Sequence, residues 1–129
     1  MANIIYNYFY FIFGISITLF FVYRLNLGPV GGASLTMLLT GIAENTLSSN
    51  IVTIDKDIYN ILVVSAFLSM SSDKVLKNTK DILFMGIIAT LCYSNFFSTF
   101  SGIGGSLGMT AFVSVVIFAI IKTSKNFKI

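Results

Sequence analysis

A chain of 129 residues has room for one domain, and this one is 56% hydrophobic with only 10% charged residues and a net charge of +3. Soluble domains carry roughly 25% charged residues, and a fold of this size keeps too much of its chain at the surface to hide such an apolar excess from water. With no His and a single Cys, Cys92, the chain lacks the material for internal disulfides, Cys/His zinc sites or His-activated nucleophiles, and its small dispersed charge argues against nucleic acid as a partner.

Residues 4–23, IIYNYFYFIFGISITLFFVY, run without a charge. About 20 helical residues cross the ~30 Å hydrocarbon layer, so this run reads as a membrane span. It lacks a basic leader and a small-residue cleavage site, which makes a retained span the expectation rather than a signal peptide. The second run goes from Pro29 to Ala43, extendable to Leu47, and Pro29 suits a first helical turn. Its length admits either a full span or a re-entrant hairpin. After the polar ENTLSSNIVTIDKD come IYNILVVSAFLSM, 58–70, and the basic loop SSDKVLKNTKD. ILFMGIIATLCYSNFF, 82–97, follows, and a last run from Leu107 to Ile121 ends in KTSKNFK. The expected fold is all-α, a single transmembrane domain over residues 1–129 with about five short spans and three as the minimum.

Charge placement gives an orientation. Lys74, Lys77 and Lys80 share one loop, and Lys122, Lys125 and Lys128 share the tail, with two apolar runs between the groups. Both groups then lie on one side, and Lys and Arg concentrate on the cytoplasmic face. This puts the C-terminus and Arg24 in the cytoplasm of a bacterial or phage-infected cell, with the chain in the inner membrane. Glu44, Asp55, Lys56 and Asp57 fall on the outer side.

Two stretches are spelled alike: GPVGGASLTM at 28–37 and SGIGGSLGMT at 101–110. An odd number of crossings separates them, the arrangement of an inverted repeat with units 4–47 and 82–122. Gly28, Gly31 and Gly32, and Gly102, Gly104, Gly105 and Gly108, offer tight turns or small faces through which helices associate in lipid. Such faces serve either contacts inside one chain or assembly of several. The hydroxyl residues inside the runs, Ser16, Thr18, Ser34, Thr36, Thr40, Ser65, Ser69, Thr90, Thr110 and Ser114 among them, are uncharged and can bond to their own helix carbonyls. No Asp, Glu, Lys or Arg interrupts a run, so neither a carboxylate relay, a catalytic group, a cofactor site nor a metal site is expected. Cys92 reads as a small buried hydrophobe.

From Ile58 onward, a span ending in DKVLKNTKD, a second span ILFMGIIATLCYSNFF and the glycine-rich entry GIGGSLGMTAF before a Lys tail resemble small phage holins. That resemblance implies a lysis protein that self-associates into holes in the cytoplasmic membrane, with Gly102, Gly104, Gly105 and Gly108 as helix contacts and Lys122, Lys125 and Lys128 holding the tail inside. FGISITLFFVYRLNLGPVGGASLTMLLTGI resembles the first repeat of YitT- or YczE-like bacterial membrane proteins, which implies paired pore or substrate turns at 28–37 and 102–109. The readings of function are therefore a holin-like permeabilising protein, a compact channel or carrier subunit built on the repeat, and an accessory or immunity-type subunit of a larger membrane partner.

Overall fold

The computed structural model describes residues 2–48, 56–71, 75–76, 78–100 and 103–126. Five helices follow one another: α1 (Ala2–Arg24), α2 (Gly28–Ser48), α3 (Lys56–Ser69), α4 (Thr79–Phe100) and α5 (Ser106–Asn126). Each expected apolar run became one helix, and no strand occurs among the described residues. Among the described residues three helices are long and apolar enough to cross a membrane, Asn3–Arg24, Thr79–Phe100 and Ser106–Ser124. The second run is one unbroken helix of 21 residues, with no hairpin inside it. α3 has only 14 residues, about 21 Å of axis.

Local chemistry sets the helix ends. Asn78 and Asp81 form a reciprocal cap on α4: the Asn78 N–H donates to Asp81 Oδ2 at 3.2 Å and the Asp81 N–H to the Asn78 carbonyl at 2.9 Å. The cap starts α4 three residues before its apolar run. Left-handed residues, Asn26 at φ 52° and Gly28 at φ 70°, turn the chain into α2. Gly105 at φ 89° turns it into α5, whose first bond runs from the Met109 N–H to the Gly105 carbonyl at 2.9 Å. Gly tolerates that region because it has no Cβ to press on the following carbonyl oxygen, and Asn because its short polar side chain can bond locally.

α1, α3, α5 and α4 form a ring in which each helix packs against the next, and α2 lies outside it against α1 and α3. The core joins Phe11 and Ile15 of α1, Ile61, Val64 and Leu68 of α3, Met85, Ile88, Ala89, Cys92 and Tyr93 of α4, and Ala111 and Phe118 of α5. No described residue of α2 belongs to it. Phe11 meets the Tyr93 ring edge-on at 5.9 Å, and the Tyr93 hydroxyl lies 3.4 Å from Asp57 at the start of α3. Gly14, one turn further along α1, faces Leu62 and Ser65, one to two turns further along α3. α1 and α3 therefore run the same way. Arg24 shares an end of the molecule with the loop into α4, and Glu44, Lys56 and Asp57 occupy the other.

The outer surface is apolar. α1 exposes Ile5, Phe9, Phe13 and Phe20, α2 exposes Val30, Leu38 and Ile42, and α4 and α5 expose Leu91, Phe112 and Ile120 among others. α3 contributes no large exposed hydrophobic residue and buries half of its length.

Candidate functional site

Two sets of residues were singled out in the sequence, glycines for helix contact or turns and lysines for orientation, and the structure separates the members of each. Gly32 lies under α1: a Cβ there would stand 3.1 Å from the Val22 nitrogen and 3.2 Å from the Thr18 carbonyl oxygen, as well as against the Val22 side chain. Gly31 faces its own neighbour in the turn, Leu27, and Gly28 supplies a left-handed turn with open space around it. Gly105 has the same role before α5, again with nothing near. Gly104 and Gly108 face open space too. Gly102 lies outside the described residues. Around the second glycine phrase Ile103, Met109 and Phe112 are exposed, so small positions alternate with large apolar ones on an uncovered surface.

Two glycines that the sequence reading passed over make close contacts instead. A Cβ on Gly14 would sit 2.7 Å from Ser65 Cβ, and one on Gly86 would sit 3.2 Å from both Ile12 Cγ1 and the Tyr8 ring. With Gly32 they bring α3, α4 and α2 each onto α1 through a missing side chain. Their signal was present: an isolated glycine inside a long apolar helix costs about 1 kcal/mol relative to alanine and marks a packing need.

The buried Ser and Thr hydroxyls satisfy themselves, whereas the buried Tyr59 hydroxyl has no partner among the described residues. Thr36, Thr40, Ser65, Ser69, Thr90, Thr110 and Ser114 each donate to the carbonyl four residues back, at 2.7–3.0 Å. Thr18 lies 2.9 Å from the Gly14 carbonyl and 3.1 Å from the Thr36 hydroxyl, which joins α1 to α2. A side-opening cavity of about 240 Å³ between α1, α2 and α3 has Thr36 and Thr40 in an otherwise apolar wall. Ser16 and Ser34, by contrast, face outward.

Among the lysines, Lys80 is exposed in the first turn of α4. Lys122 reaches from the far end of α5 to Asp81, with Nζ 2.8 Å from Oδ2, and donates to the Val75 carbonyl at 2.8 Å. Its ammonium stands 5.6 Å from the Phe118 ring centre. Arg24, Lys80 and Lys122 thus gather at one end. Lys125 lies in the last turns of α5, and Lys74, Lys77 and Lys128 lie outside the described residues. Comparison with family models, curated proteins and solved structures returned no match.

Proposed function

We propose that the chain is a small multi-span protein of the bacterial inner membrane, holin-like, that self-associates and permeabilises that membrane, with its C-terminus in the cytoplasm. Four helices turn large apolar side chains outward, a surface that lipid solvates and water does not. The observation that carries the assembly step is the open glycine surface at the start of α5. A Cβ on Gly104 or Gly108 would meet nothing within 4 Å among the described residues, whereas Gly14, Gly32 and Gly86 are used up by internal contacts. In lipid, helices associate by close backbone approach, so an unfilled small-residue face flanked by Met109 and Phe112 is a surface for another copy. No chemistry is involved: copies meet through α5, and outward hydroxyls such as Ser16 and Ser34 turn toward the water they admit.

Induction in a bacterial host tests this directly. Growth should halt abruptly, with loss of membrane potential reported by a voltage-sensitive dye, after the protein reaches a threshold level. Gly108→Leu should fold and delay the collapse; unchanged timing would remove the α5 contact, and harmless accumulation of the wild-type chain would remove the permeabilising role.

One observation favours the second reading, a compact carrier or channel built on an inverted repeat. Both glycine phrases open the second helix of a hairpin with a left-handed glycine, Gly28 and Gly105. A small fixed oligomer in mild detergent, with no toxicity on induction, would select it. Co-purification with one obligate membrane protein would select the accessory role.

A further inference from the structure

Where α4 begins and α5 closes, a cleft of about 280 Å³ opens at the basic end of the molecule, at the opposite end of α5 from the Gly105 turn. Lys80, Asp81 and Phe84 line it from α4, and Phe118, Ile121 and Lys122 from α5. Its polar wall is built rather than loose. Asp81 and the Val75 carbonyl hold the Lys122 ammonium in place, each at 2.8 Å, yet the Lys122 side chain stays 32% exposed. An ammonium carries three N–H donors, and these acceptors engage two of them. Two lysines against one aspartate leave the cleft with a single net positive charge. Its floor is apolar: the Phe84 and Phe118 rings lie 5.9 Å apart, beside Ile121. From Phe84 the exposed side chains of Ile87 and Leu91 continue at helical spacing along α4.

We infer that this cleft binds an anionic phospholipid, with the phosphodiester between Lys80 and Lys122 and an acyl chain along Phe84, Ile87 and Leu91; the inference rests on the membrane placement proposed above. A cationic rim over an apolar track is complementary to both halves of such a lipid. A second copy does not fit the charge. Copies inserted in the same sense present this lysine-bearing end side by side, while the other described acids, Glu44 and Asp57, lie at the opposite end.

Native mass spectrometry of the full chain in a zwitterionic detergent tests the site. The probes are dioleoylphosphatidylglycerol, dioleoylphosphatidylcholine and glycerol phosphate. The glycerol lipid should be retained at lower concentration than the choline lipid, and glycerol phosphate should not bind measurably. Lys80→Gln changes an exposed residue and should weaken retention about fivefold, the effect of one lysine at an anionic surface. Lys56→Gln, at the opposite end, should leave it unchanged. Equal retention of both lipids, equal losses in the two variants, or binding of glycerol phosphate as tight as that of the lipid would each overturn the site. An alkaline wash of membranes separates the two levels of failure. A chain that resists the wash but shows no lipid preference loses only the cleft; a chain that is released loses the membrane placement as well.

Discussion

The turn into α2 and the turn into α5 are spelled with nearly the same residues, and the helix pairs they join are held together in different ways. In the first pair Gly32 lets α2 settle onto the backbone of α1, and the Thr18 and Thr36 hydroxyls meet one turn further on. In the second pair a Cβ on Gly104, Gly105 or Gly108 would touch nothing among the described residues. α4 and α5 are joined at the opposite end, by Phe84 against Phe118 and by the Asp81–Lys122 ion pair. A glycine removes a side chain, and what fills the space depends on where the neighbouring helix runs. Motif likeness therefore fixed the backbone turn in both places, through Gly28 and Gly105, but fixed the contact in only one.

Four experiments on five substitutions sharpen that contrast, in falling order of effect on stability. Gly32→Leu forces a branched side chain into the Val22 and Thr18 backbone and should cost about 3 kcal/mol or more, read as loss of folded protein in detergent. Asp81→Asn and Lys122→Met, measured singly and together by thermal unfolding, should show a coupling of about 1 kcal/mol for a partly buried pair. Additive losses would mean that aromatic packing alone joins α4 to α5. Thr18→Val removes the hydroxyl contact between α1 and α2 and should cost about 0.6 kcal/mol, the typical worth of one interhelical hydrogen bond in lipid. Gly108→Leu should cost nothing and gain up to about 1 kcal/mol of helix propensity, while lowering oligomer size in crosslinking. Should Gly108→Leu instead destabilise the single chain as Gly32→Leu does, the difference between the two glycine phrases disappears.

The helices were legible because apolar runs bounded by Gly, Pro and charge leave few alternatives in a chain so poor in charged residues. Their ends were less so: α4 begins at Thr79 because Asn78 and Asp81 cap it, a pairing that looked like part of a charged loop. The partner of Lys122 was hidden for a simple reason, since Asp81 lies 41 residues away and only the α4–α5 hairpin brings it near. Within the site, the left-handed glycines followed from the turns they occupy. Gly14 and Gly86 were obscured because a single glycine in a long hydrophobic run carries no phrase around it, only its cost. The order of the ring, with α2 outside it, was not written in periodicity at all. Every run is apolar on most of its circumference, so hydrophobic patterning does not say which face meets which neighbour.

α3, short and wrapped by α1, α2 and α5, has a consequence for how the protein is made. On the proposed placement its 14 residues are too few to partition into lipid unaided. It must wait at the translocation machinery until α1 and α2 offer it a wall, and release sideways together with them. Ribosome stalling before α5 emerges would then leave a half-made chain whose third segment is walled by α1 and α2 alone, and α5 would complete its enclosure.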